Sequence, residues 1–193
     1  MKRTRKTWFT SDTHFGHRAI IDMCGRPFAD VDEMDDAMVA AWNAVVHTND
    51  VVWHLGDFAF RCHPQRAKEI FDALNGIKHL VVGNHDKKPT LALGWAEVIP
   101  FRHLVVDGVQ INLSHYAMRV WPGLHRGAVM LYGHSHGTLP GSRATLDVGV
   151  DNVGFAPVDL PEILGRMAAL PRVAYDQGRV VEPGPDDEPA LAV

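Results

Sequence analysis

The chain has 193 residues, 46% hydrophobic and 22% charged, with a formal net charge of −4. That length suits one domain with a substantial core, and the negative balance argues against a broad electrostatic footprint for duplex nucleic acid. Two cysteines without a CxxC pairing, Cys24 and Cys62, exclude a disulfide framework and a thiolate zinc cluster. No apolar run approaches the roughly eighteen residues of a membrane helix. Behind the basic lead-in of Lys2, Arg3, Arg5 and Lys6, residues 7–12 are too few and too polar for a signal-peptide core. The expectation is a cytoplasmic protein with no membrane partner.

In chain order, residues 8–11 read as a first strand stopped by a polar cluster, and residues 17–24 as a short helix broken at Gly25-Arg26-Pro27. Asp30 or Asp32 can cap the next helix, whose Met34, Ala37, Met38, Ala41, Trp42 and Val45 recur at helical spacing and face a core. A buried strand over 51–55 ends at Gly56-Asp57, and Pro64 opens a helix that Asn75-Gly76 closes. A strand over 79–82 then ends at Gly83-Asn84-His85-Asp86. Strand–helix–strand repetition implies parallel strands with right-handed crossovers, so ligands at their carboxyl ends share one edge of the sheet.

The second half differs. Two arms, 101–106 and 109–113, flank Asp107-Gly108, a type I′ hairpin signal. The second arm ends at Ser114-His115, a strand over 128–132 ends at Gly133-His134-Ser135-His136, and a strand over 145–150 and a helix from Pro161 follow. One domain over residues 1–182 is expected, with a disordered Pro- and acid-rich tail over 183–193. Trp53, Trp95 and Trp121 are core candidates, and His54, inside an apolar strand, is a core histidine.

Seven metal-binding side chains stand at the ends of these runs: Asp12, His14, Asp57, Asn84, His115, His134 and His136. Carboxylate, imidazole and amide oxygen without thiolate suit Mn, Fe, Ni, Co or Zn. Asp12/His14 and His134/His136 are i, i+2 pairs, which on a strand point the same way. Asp57 is a lone carboxylate between two such sets, and one carboxylate can bridge two cations. Two divalent ions about 3.5–4 Å apart clamp an in-line displacement at phosphorus. Gly56, Gly83 and Gly133 allow tight backbone approach beside the ligands.

Asp12-Thr13-His14, Gly56-Asp57, Gly83-Asn84-His85-Asp86, His115 and Gly133-His134-Ser135-His136 together resemble the signature of calcineurin-like metallophosphoesterases, in that family's order. Ser11 to His17 and Arg26-Pro27-Phe28 resemble its small bacterial and phage-type branch. The resemblance implies an α/β fold of the four-layer type, a β-sandwich of two mixed sheets flanked by helices, with a dinuclear metal site at strand ends. It implies Asp12, His14 and His136 on a first ion, Asn84, His115 and His134 on a second, and Asp57 bridging them. It further implies that His85 protonates the leaving oxygen and Asp86 orients His85. Arg61 follows Asp57 without the preceding Asp found in protein Ser/Thr phosphatases, which argues against that activity.

The resulting expectation is a dinuclear metal-dependent phosphohydrolase, with Mn as first choice. A metal-bridging hydroxide would act on a small nucleotide-type or cyclic phosphodiester. Asn84, Arg26, Arg61 and His17 are candidate substrate contacts, with a structural role standing beside that one for His17 and both arginines. A nuclease acting on DNA or RNA ends and a non-catalytic scaffold of the same fold are the alternatives.

Overall fold

The structure, a computed structural model, describes residues 4–172, 174–176 and 179–181. The expected tail over 183–193, and Lys2 and Arg3 of the basic lead-in, lie outside the described residues.

The first half forms β1 (Thr7–Thr10), α1 (Arg18–Cys24), α2 (Val31–Val45), β2 (Val51–His54), α3 (Pro64–Ala73), β3 (Ile77–Val81), α4 (Lys88–Leu91) and β4 (Glu97–Ile99). Helix α2 starts where the Asp30 carboxylate accepts from the Glu33 N–H at 2.9 Å, satisfying one of the orphan donors of the first turn. Helix α3 has its proline in the first turn, where a missing N–H costs nothing. Strands β1 to β4 pair in parallel, as the crossovers require.

The second half forms β5 (Phe101–Val106), β6 (Val109–Ser114), β7 (Val129–Tyr132), β8 (Thr145–Asp147), α5 (Val150–Val153), β9 (Val158–Asp159), α6 (Leu160–Ala168), β10 (Ala174–Asp176) and β11 (Arg179–Val181). Val106 pairs with Val109 across the hairpin, and Asp107 and Gly108 have φ of 48° and 83°, the two positive values a type I′ turn demands. The expected strand over 145–150 stops at Asp147; the chain bridges to Ser11 at Gly149 and turns into α5.

One sheet has the order β4-β3-β2-β1-β9 and the other β5-β6-β7-β8; both are mixed, since β9 runs antiparallel to β1 and β5 antiparallel to β6. Alternation along the central strands builds two cores. Trp8 and Val52 point to the helices, joining Met34, Met38, Trp42, Ile70 and Phe71. Phe9 and Trp53 point between the sheets, joining Ile111, Leu113, Leu131 and Leu146. The outer face of the second sheet carries a smaller cluster of Trp121, Ala128, Met130 and Tyr132. Trp121 is thus core, its indole N–H donating to the Ala128 carbonyl at 2.7 Å. This is the four-layer sandwich of two mixed sheets flanked by helices. The carboxyl ends of β1, β2, β3, β6 and β7 deliver all the ligand candidates to one place.

Candidate metal centre

The candidate ligands lie just beyond those strand ends rather than on the strands, and this corrects the reason for their convergence. Asp12, His14, Asp57, His134 and His136 have φ of 57°, 50°, 58°, 67° and 48°. Each is in the left-handed region, which residues other than glycine enter at a cost. The i, i+2 pairs therefore meet through left-handed turns and not through the pleat of a strand.

Buried groups hold those turns. Arg26 donates from Nη2 to the Asp12 carbonyl at 2.8 Å and from Nη1 to the Thr13 carbonyl at 2.9 Å. The Asp86 carboxylate accepts the backbone N–H groups of Asp57, Phe58 and Gly83 at 2.9, 3.0 and 2.8 Å. Asp147 accepts from Ser135 Oγ and from the Gly137 and Gly149 N–H groups, fixing the His134–His136 turn. Two glycines are obligatory for close approach: a Cβ at Gly83 would sit 2.5 Å from Asp57 N, and one at Gly133 would overlap the Ser11 and Asp12 side chains.

The result is two triads. Candidate ligand atoms of Asp12, His14 and His136 all lie within 4.8 Å of one another, and so do those of Asp57, His115 and His134. Asp57 Oδ2 is 3.6 Å from His14 Nε2 and 3.5 Å from His115 Nε2, so a single oxygen faces both triads. Asn84 Oδ1 joins the second triad, 2.9 Å from His115 Nε2.

The donor set fits cations on its own evidence. Asp12 Oδ1 and both ring nitrogens of His14 are buried without a hydrogen-bond partner, which in a closed interior costs on the order of 1–3 kcal/mol per group. His115 Nδ1 lies 2.8 Å from the Leu55 carbonyl, so that nitrogen carries the proton. Nε2 then turns a lone pair toward Asn84 Oδ1, another acceptor. A cation between them resolves the conflict. Burial pushes the Asp12 carboxyl up to about 8 and the His14 imidazole down to about 2. A neutral imidazole is ready to bind metal, and a dication beside Asp12 would restore its carboxylate.

The remaining expected residues fall into different places. His85 sits at the centre: its N–H donates to Asp57 Oδ1 at 2.8 Å, its Nε2 is 3.9 Å from Asp57 Oδ2, and its ring lies 4.1 Å from that of Phe60. Asp86, expected to orient His85, instead has its carboxylate occupied by the three backbone donors, with burial raising its pKa against them. Arg26, a candidate substrate contact, is buried, and besides the two carbonyls it grips Asp151 with Nε and Nη2 at 2.7 and 2.8 Å. It is a strut of the Asp12 turn and has no edge left for a substrate. Arg61 is exposed, its guanidinium 5.4 Å above the Phe60 ring. His17 is buried beside His14 and Phe60, with Nδ1 unpartnered, and burial lowers its pKa ahead of repulsion by His85 and Arg61.

Sequence reasoning missed Asp151, Asp147 and Tyr116. Asp151 Oδ2 lies 2.8 Å from His136 Nδ1, a carboxylate–imidazole pair that fixes the ring and leaves Nε2 for the centre. Cys24 lies near these two as well, but both Asp151 oxygens are already engaged by Arg26 and His136. The one local signal was their place at the strand's end: Asp147 closes β8 and Asp151 directly follows the expected strand over 145–150. Tyr116 follows His115 and packs edge-on against His115 and His134 at 5.0 and 4.6 Å.

Fold and site together define a metal-dependent phosphoester hydrolase. The family model described as calcineurin-like phosphoesterase matches residues 5–122, and the chain belongs to that family. The uncharacterized protein MJ1445 of Methanocaldococcus jannaschii is 32% identical over 168 residues, covering 83% of this chain and 90% of its own. The gene 66 protein of Mycobacterium phage L5 is 28% identical over 187 residues, covering 77% of this chain and 87% of its own. The solved structure of AQ665, a protein of unknown function from Aquifex aeolicus, shares the fold with a TM-score of 0.67 at 24% identity, covering 83% of this chain and 98% of that one. No helix of the described residues is long and apolar enough to cross a membrane.

Proposed function

We propose that the protein is a phosphodiesterase acting on a small nucleotide-type or cyclic phosphodiester. The observation that carries this reading is the arginine charge left free beside the centre, over Phe60 and near His17. With Arg26 locked onto Asp151 and two carbonyls, Arg61 is the one of the two candidate arginines whose guanidinium stays exposed. One guanidinium matches the single charge of a diester; a monoester carries about −1.5 to −2 at neutral pH.

Asp12, His14 and His136 would hold one divalent ion and Asn84, His115 and His134 a second, with Asp57 shared; manganese is our first choice among Mn, Fe, Ni, Co and Zn, between which the donors do not select. Ions bound there would supply a water of lowered pKa and a clamp on the phosphoryl oxygens. His85 does the proton work: anchored through its N–H to Asp57 and with its side chain about one-third (33%) exposed, it donates to the departing ester oxygen. Arg61 and Asn84 steady the phosphoryl charge, and Phe60 covers the His17–His85 side against water. The free thiols of Cys24 and Cys62 suit a reducing compartment such as the cytoplasm.

The test compares bis-p-nitrophenyl phosphate with p-nitrophenyl phosphate on chelator-stripped protein, with and without added Mn. Turnover that returns with metal and has the higher kcat/KM on the diester is expected. A faster monoester would overturn the reading, and faster cleavage of oligonucleotides than of either ester would replace it with a nuclease.

A further inference from the structure

The aromatic rings at the centre fall into two groups. His14, His17, Phe60, His85 and His136 form one, linked through His14 and Phe60 at centroid separations from 4.1 to 6.5 Å. His115, Tyr116 and His134 form the other, at 4.6 to 5.1 Å. Asp57 Oδ2 stands between them, within 4 Å of His14, His85 and His115. His85 lies in the first group, so the leaving ester oxygen must be on that side. An in-line displacement leaves the retained ester group off the axis, and the second group offers it a surface.

Within that second group Tyr116 is the exposed aromatic, 51% accessible. Its ring is nonetheless positioned: it packs edge-on against both histidines, and its O–H donates to Asn84 Oδ1 at 3.3 Å. A half-exposed ring that is fixed in place presents a ready apolar face at little further entropic cost. We propose that Tyr116 is a specificity-determining residue whose ring stacks on a planar group of the retained ester, an aryl ring or a nucleobase. The inference rests on the diesterase reading and narrows its substrate class to diesters with a flat aromatic substituent on the phosphoryl group that is kept. Stacking of a base on an aromatic side chain contributes about 1–3 kcal/mol, which corresponds to roughly 5- to 150-fold in kcat/KM.

The test uses two diesters with the same leaving group, bis-p-nitrophenyl phosphate and methyl p-nitrophenyl phosphate, and reads the ratio of their kcat/KM values in the metal-loaded full chain. Because both share leaving group, metals and His85, a general loss of activity cancels in the ratio. The wild type should favour the aryl-retaining diester at least about 5-fold beyond the ratio of the two esters' uncatalysed hydrolysis rates. Tyr116→Phe should keep that preference, and Tyr116→Ala should lower the ratio at least about 5-fold, toward the one set by the esters' own reactivities, mostly through KM. A wild-type ratio no greater than the uncatalysed one, or a ratio that survives Tyr116→Ala, overturns the role of Tyr116 while leaving the diesterase reading intact. A wild type that turns over p-nitrophenyl phosphate but neither diester removes the diesterase reading itself, and this inference with it.

Discussion

Asp151 Oδ2 accepts from His136 Nδ1 at 2.8 Å while the same carboxylate receives two hydrogen bonds from Arg26. Burial opposes the ionised form, yet the hydrogen bonds from His136 and Arg26 hold the Asp151 carboxyl below the usual carboxylate range. The carboxylate thus orients a candidate ligand and neutralises a buried strut. Carboxylate partners of ligand histidines typically alter metal affinity by about 10- to 100-fold. Asp151→Asn should raise the Mn concentration needed for half-maximal activity within that range. Calorimetric titration of metal into the stripped variant checks it; an unchanged affinity would reduce Asp151 to a partner of Arg26.

Arg26 gives a prediction of the opposite kind. Its side chain is fully buried and bonded on both edges, so truncation leaves Asp151 and two carbonyls without donors. Breaking a buried pair from one side costs about 3–5 kcal/mol. Arg26→Met should lower stability by that order in urea denaturation. A raised KM with stability intact would instead return Arg26 to the substrate.

His54 makes the acid side of the stability profile. It is fully buried, its Nδ1 accepts the Gly56 N–H at 3.2 Å, and its Nε2 meets Thr13 Oγ1 at 3.0 Å, which in turn donates to the Phe58 carbonyl. Burial holds its pKa near 3, well below the ordinary 6.5. The unfolded chain therefore binds the proton first. Stability is complete above pH 6.5 and falls as the pH drops toward 3, where the folded imidazole protonates as well. His54→Asn should be less stable than wild type at pH 7, and the gap should narrow by on the order of 1–2 kcal/mol at pH 5. Denaturant midpoints at the two pH values decide it, and a gap that widens in acid contradicts the assignment.

The candidate ligands were legible because each sits where an apolar run stops, and a run's end is a local property. The Asp107-Gly108 hairpin was legible for the same reason: two residues suffice to specify a left-handed turn. The left-handed backbone of Asp12, His14, His134 and His136 was not. A spacing of two reads identically for a strand and for such a turn, and the stabilising contacts come from far away. Arg26 and Asp151 are 125 residues apart in sequence, so neither residue's neighbours reveal that the arginine is already engaged. Asp86 was misread because an Asp beside a catalytic His suggests a side-chain partner, whereas its actual partners are backbone donors.

Asp86 and His85 can be separated by metal affinity and leaving-group dependence, although they are adjacent. Asp86 holds the N–H groups of Asp57, Phe58 and Gly83, so its loss frees the turn that aims Asp57 at both triads. An amide in its place offers one good acceptor and sets a donor against those N–H groups. Asp86→Asn should therefore weaken metal binding and stability together, yet leave kcat close to wild type once metal is saturating. His85→Asn removes the proposed proton donor instead. It should keep stability and metal affinity, and lower kcat by roughly two to four orders of magnitude. The loss should shrink for a leaving group as acidic as p-nitrophenol and grow for an alkyl leaving group, which needs the proton more. Equal losses on both leaving groups would mean that the His85 ring, 3.9 Å from Asp57 Oδ2, acts by position and contributes no proton.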